Sequence, residues 1–217
     1  MSTIVREMKA ADIEEASRFL HEHFYTGEPL LETYAEKQHL ILDVNKRAYK
    51  ESCIQQGTSL VAVDQSKDDR IVGVAYTGVL NGKELEQNWN ELNGKKRTQF
   101  MEHVKYYLIN IKRNAQFFKQ YGVSDVLYLK VLAVDSAVRR QGVGRRLVTA
   151  LIEVGRAKGY SLLVATCTGL YSTQLMASLG MECVHSELYC DYKDDDGNVV
   201  FKPQAPHTKA SVMALKL

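Results

Sequence analysis

The sequence predicts an α/β fold of the α+β kind: a single central sheet of about seven strands, twisted, mixed and mostly antiparallel, flanked by helices. Three observations predict it. Short apolar strands alternate with helical stripes along the 217 residues. SLVAVD (59–64) and IVGVAYTGVL (71–80) read as an antiparallel hairpin, and the KDDDGN turn marks another near the end of the chain. Between them VLYLKVLAV (126–134) is apolar almost throughout, as a buried central strand is.

The elements follow in order. TIVRE (3–7) is a short strand. Ile13, Ala16, Phe19, Leu20 and Phe24 share a helical face, with Asp12 placed to cap its start. TGEPL (26–30) breaks that helix through Gly27 and Pro29. Leu40, Ile41, Val44, Ala48, Tyr49 and Cys53 form a second helical stripe, and the hairpin follows. Residues 81–122 read as a helical insertion in a single domain spanning 1–217. NGKELEQNWNELNGKK is polar and turn-rich; Phe100, Val104, Tyr107, Leu108, Ile111, Ala115 and Phe118 then make one stripe. After the central strand comes a helix with Val143, Leu147, Val148, Leu151, Ile152 and Gly155 on its apolar face. Lys158-Gly159 supplies a basic last turn and a C-cap. YSLLVAT (160–166) is a strand, Tyr171–Leu179 a short helix stopped by Gly180, and MECVHSELYCDY an alternating strand. KDDDGN turns through Asp196-Gly197, and HTKASVMALKL is the final strand.

Composition narrows the function classes. Hydrophobic residues make up 45% and charged residues 25%, and the net charge of +2 is too small for nucleic-acid binding by bulk electrostatics. Cys53, Cys167, Cys183 and Cys190 form no C-x-x-C pair, so neither a metal site nor a disulfide framework is expected. MSTIVREMKA lacks the pattern of a secretory signal, and no apolar run approaches the ~20 residues of a spanning helix. The expectation is a reduced, cytoplasmic, monomeric protein that binds neither membrane nor metal.

The strongest local signal is VRRQGVGRRL (138–147), a glycine turn between an apolar strand and an amphipathic helix. Such a turn aims backbone N–H groups at one spot, and the helix dipole favours an anion there. Arg139, Arg140, Arg145 and Arg146 add charge. A dinucleotide fingerprint fails because Leu147 holds its third glycine position, and the Gly-Lys-Ser/Thr of a Walker motif is missing. The bland alternative, a helix start with solvated arginines, is disfavoured because neither Gly142 nor Gly144 shows a packing reason in the sequence.

What remains, Arg139, Gly142 and Gly144 in an R-x-x-G-x-G pattern, resembles the pyrophosphate loop of the GCN5-related N-acetyltransferases (GNAT), which use acetyl-CoA. The resemblance implies a strand splayed from its neighbour, with the backbone of Leu132, Ala133 and Val134 pairing with the pantetheine arm. It also implies that Arg139, Arg140, Gln141, Gly142, Val143, Gly144 and Arg145 hold the pyrophosphate. FYTGEPL, TGLYSTQLMASLGM and the tail from LYCDY onward are similar to the insect arylalkylamine N-acetyltransferases.

That likeness implies acetyl transfer to the primary amine of a small arylalkylamine such as dopamine, tyramine, octopamine or serotonin, with Glu28 as general base. An apolar setting beside Phe24 and Tyr25 suits a base, although an exposed loop glutamate is the plain alternative. Relatives often carry an acid just before this glutamate; here it is Gly27. Tyr25 and Pro29 are candidate walls of the amine pocket. Met176 stands where relatives place a hydroxyl donor, so Ser172 becomes the candidate acid or thiolate stabiliser, against a simple helix-cap role, with Tyr171 as substitute. His207 is placed near the amine pocket, or else satisfies a strand end. Cys167 reads as a small buried residue. A non-aromatic amine such as agmatine or a polyamine, a protein or peptide amine, and a non-catalytic acyl-CoA sensor stay open as alternatives.

Overall fold

The computed structural model describes residues 3–34 and 47–217. In chain order the elements are β1 (Thr3–Glu7), α1 (Ile13–His23), α2 (Arg47–Gln55), β2 (Leu60–Asp64), β3 (Arg70–Asn81), α3 (Gly82–Leu92), α4 (Phe100–Asn114), α5 (Phe117–Tyr121), β4 (Asp125–Val134), α6 (Val143–Ala157), β5 (Leu162–Cys167), α7 (Leu170–Ser178), β6 (Glu182–Leu188) and β7 (Lys209–Lys216). The strands form one sheet in the order β1-β2-β3-β4-β5-β7-β6. Every neighbouring pair is antiparallel except β4–β5, which the α6 crossover makes parallel.

The sheet separates two cores. On one face Phe19 and Leu20 of α1 and Tyr107 and Ile111 of α4 cover Tyr76, Tyr128, Val164 and Val212. On the other, Val143, Leu147, Val148 and Leu151 of α6 cover Leu127, Leu129, Leu163 and Met213. Alternate residues of β4 and β5 thus feed opposite cores, which explains their nearly unbroken apolar runs. All six apolar positions expected on the helix after the glycine turn are buried on α6.

Two local readings change. Asp12 precedes α1 without capping it. Its carboxylate instead accepts from Lys9 N and from both terminal nitrogens of Arg6, at 2.7 and 2.9 Å, tying β1 to the helix. The polar stretch after β3 is a helix, α3, because Asn81 Oδ1 accepts from Lys83 N and Glu84 N and so satisfies its first turn. Trp89 then packs against the Arg113 guanidinium of α4, 3.8 Å from its ring centre. Of the stripe expected from Leu40 to Cys53, α2 contains the C-terminal part; Leu40, Ile41 and Val44 lie outside the described residues.

Candidate functional site

The parallel pair is short. β4 meets β5 only from Leu127–Leu163 to Leu129–Ala165, although β4 runs on to Val134 and β5 to Cys167. Beyond Leu129 the β5-facing edge of β4 is therefore open. Its register fixes which groups face the opening. Asp135 N donates to Val72 O at 3.0 Å, which makes Gly73–Val134 a pair that exchanges no hydrogen bonds with each other. The next pair, Val74–Ala133, exchanges both, and Ala75–Leu132 again exchanges none. The open backbone consequently belongs to Leu132 and to the Val134 N–H, the Val134 carbonyl accepting from Arg139 Nε. Ala133 spends its N–H and C=O on β3, a correction to the three-residue expectation.

The glycine turn lies just past this edge. Gly142 sits at φ +79°, where an L side chain is strained, and a Cβ there would meet nothing within 4 Å. It precedes α6 with no capping side chain. The first amides of α6 have no intrahelical partner and point out of the helix start. Gly144 does have a packing reason: a Cβ would lie 3.3 Å from Leu175 Cδ2 of α7.

Three of the four arginines brace the loop. Arg139 donates to Val134 O and His23 O, both at 3.3 Å. Arg145 donates to Ser178 Oγ at 2.8 Å, and Arg146 to Thr3 O. Arg140, exposed and at φ +64°, is the one without a partner among the described residues. Gln141 is exposed and Val143 is buried under the helix.

Glu28 follows α1 and is buried, at 7% exposure. The following proline holds it in extended backbone, φ −80° and ψ 120°, and its side chain turns back to cap the Pro29–Leu31 turn. Oε2 accepts from Leu31 N at 3.0 Å, while buried Oε1 has no partner. Burial raises its pKa from 4.5 to about 7, against the opposing pull of the Thr168 hydroxyl and the Leu31 and Leu30 amides. Thr168 directly follows β5, and its carbonyl accepts from Tyr189 Oη at 2.5 Å. The carboxyl therefore stands at the end of β5, the strand from which β4 separates.

The start of α7 closes the same region. His207 Nδ1 accepts from Leu170 N at 3.1 Å, so the tail loop caps α7. A Cβ on Gly169 would lie 3.1 Å from that His207 nitrogen and 3.3 Å from Pro29 Cγ, which brings the tail, the Glu28 turn and α7 together. Ser172 Oγ donates to Gly169 O at 3.0 Å and stands beside the Cys167 thiol. Tyr171 is 66% exposed and meets the His207 ring edge-on at 5.5 Å. Tyr25 is buried within the Glu28 turn. Met176 is buried in the α6 core, at 1% exposure. Burial pushes the Cys167 thiol up to about 12, so it holds no thiolate at neutral pH.

Sequence reasoning missed Thr168 and Tyr189. Both lie inside stretches that carry the family resemblance, TGLYSTQLMASLGM and the tail from LYCDY, but only the return of β6 beside β7 carries Tyr189 to Thr168. Among the described residues no group of His, Cys, Asp and Glu could hold a metal ion, and no helix is long and apolar enough to cross a membrane.

Solved structures share this fold. Arylalkylamine N-acetyltransferase 2 from Aedes aegypti superposes with a TM-score of 0.88 at 23% identity, covering 100% of this chain and 99% of that one. A mosquito arylalkylamine N-acetyltransferase like 5b gives 0.86 at 24%, and a Drosophila melanogaster polyamine N-acetyltransferase that forms N-acetylagmatine gives 0.85 at 25%, each with 100% of both chains covered. The profile of the Acetyltransferase (GNAT) family matches residues 24–181, a span that runs from the Glu28 turn through the open strand edge and the glycine loop to the end of α7. With its open β4 edge, its glycine loop and most of its length inside that match, the chain belongs to the GNAT acetyltransferases.

Proposed function

We propose that the protein transfers the acetyl group of acetyl-CoA to the primary amine of a small arylalkylamine, with dopamine, tyramine, octopamine and serotonin as candidate acceptors. The observation that carries this reading is Glu28: a buried carboxyl, one oxygen without a partner, with a pKa of about 7. An alkylamine with a pKa near 10.4 is mostly protonated at neutral pH and cannot attack a carbonyl. A base must take its proton, and a carboxylate that titrates near the working pH does so efficiently.

The residues present fit acetyl-CoA. Leu132 and Val134 offer strand-like hydrogen bonds to an extended pantetheine arm, and the first amides of α6 with Arg140 suit a diphosphate. The cosubstrate supplies an activated acyl thioester. Glu28 accepts the extra proton of the ammonium form; the free amine forms the amide bond as the carbon–sulfur bond breaks, and the N–H proton it sheds passes to the departing sulfur, which leaves as the thiol. Ser172 is the candidate to steady or protonate that sulfur.

A dicationic acceptor such as agmatine is the second reading, favoured by the likeness to the Drosophila polyamine enzyme. Thiol release from acetyl-CoA across a panel of tyramine, dopamine, serotonin, phenethylamine, agmatine and spermidine tests both. Turnover of the aromatic amines supports the first reading, and turnover of agmatine or spermidine alone supports the second. With no turnover above background for any of them, both readings fail.

A further inference from the structure

Among the buried polar atoms without a hydrogen-bond partner are Glu28 Oε1, in the 25–31 turn, and Tyr76 Oη, in the core cluster that includes Tyr25, Leu30 and Leu31. The base role accounts for the first. Nothing so far accounts for the second. Tyr76 lies on β3, is 4% exposed, and belongs to the same core cluster as Tyr25, Leu30 and Leu31. Burial, with Cys53 and Tyr25 nearby, pushes its pKa far up, so the phenol keeps its proton and is a donor in search of an acceptor. Folded proteins tolerate few such groups, because each forfeits its bonds to water.

The backbone is adjusted at this residue. Tyr76 pairs with Val131, but Thr77 pairs with Leu129, so the β3–β4 register shifts between Tyr76 and Thr77 and leaves Lys130 as the extra residue. Such bulges re-aim side chains and gather beside active sites. Other polar groups at the bulge are satisfied. Thr77 Oγ1 donates to Thr58 Oγ1 at 2.7 Å, Thr77 N to Ser59 Oγ at 3.2 Å, and Lys130 Nζ to Cys53 Sγ at 3.5 Å. Only the Tyr76 hydroxyl among them is left over, beside the turn that carries the base.

We propose that Tyr76 sets acceptor specificity, its hydroxyl held free to bond a ring hydroxyl of the arylalkylamine while Glu28 receives the amine. This rests on the amine-acetylation reading above. Tyramine and phenethylamine, which differ by one ring hydroxyl, form the matched pair that tests it. Wild type favours tyramine in kcat/KM by about tenfold, the worth of one neutral hydrogen bond. Tyr76→Phe lowers kcat/KM for tyramine by about tenfold, mainly through KM, and for phenethylamine by less than about twofold. Its Tm does not fall, because the substitution removes an unpaired group; a purely structural tyrosine would lower it. Equal losses for the two amines overturn the proposal. So does a wild-type enzyme with no preference for the hydroxylated amine, a result that needs no variant. Turnover of neither amine overturns the arylalkylamine reading itself, and the role of Tyr76 with it.

Discussion

Replacing Glu28 by glutamine keeps the shape of the side chain and removes its charge, which separates the energetics of burial from the chemistry. In the fold the carboxyl titrates at about 7, against an ordinary 4.5, because burial penalises the anion. A raised carboxyl binds its proton more tightly in the folded chain than in the unfolded one. Its contribution to stability is therefore fully present below 4.5 and is lost as pH rises through about 7. Above that pH the buried carboxylate costs about 3 kcal/mol, at ~1.4 kcal/mol per pH unit between the two values. Glu28→Gln carries no such cost. It unfolds above wild type by about 6–12 °C at pH 8 in a chain of this size, and the gap narrows towards pH 5. Activity moves the other way: kcat/KM falls by about 100-fold, and the limb of the pH profile near 7 disappears. Thermal unfolding at several pH values and thiol-release kinetics read the two effects. A gap that does not change with pH refutes the burial argument, and a limb that survives the substitution refutes the base.

Arg140→Ala removes the one loop arginine that has no partner among the described residues. It raises the KM for acetyl-CoA by about five- to tenfold and shifts Tm by less than about 2 °C, as expected of an exposed side chain; an unchanged KM would mean that the amides alone hold the diphosphate. His207→Ala deprives Leu170 N of its acceptor at the start of α7. It costs about 1–2 kcal/mol in denaturant unfolding and raises the KM of the amine more than that of acetyl-CoA, because His207 and Pro29 of the Glu28 turn both meet at Gly169; equal changes in both would place His207 outside the acceptor side.

What the sequence shows and what it hides follow from where each interaction originates. The strand at 126–134 was legible because burial on both faces makes a nearly unbroken apolar run, and the helix after it because burial of one face imprints a helical period. Gly142 was legible because a strand-to-helix turn demands a backbone that only glycine adopts freely, and it sits at φ +79°. The helix α3 was hidden because its signal is one side-chain cap at Asn81 rather than an apolar stripe. Interactions that cross the fold were hidden altogether. Four arginines beside two glycines read as a charge cluster for an anion, yet three of them close on carbonyls or a hydroxyl from other elements. Gly144 looked free of packing because Leu175 is thirty-one positions away in the chain. Glu28 could be picked out by resemblance, but the cause of its high pKa, burial at the end of β5 beside Thr168, exists only in three dimensions.

The central claim is that acetyl-CoA lies along the edge of β4 where β5 departs. Amide hydrogen exchange, followed residue by residue with and without acetyl-CoA, tests it most directly. The account predicts that the cosubstrate slows exchange at Leu132, Val134 and the first amides of α6. Ala133, already paired to Val74, changes little. Unaltered exchange at Leu132 and Val134 in protein saturated with acetyl-CoA would contradict the account.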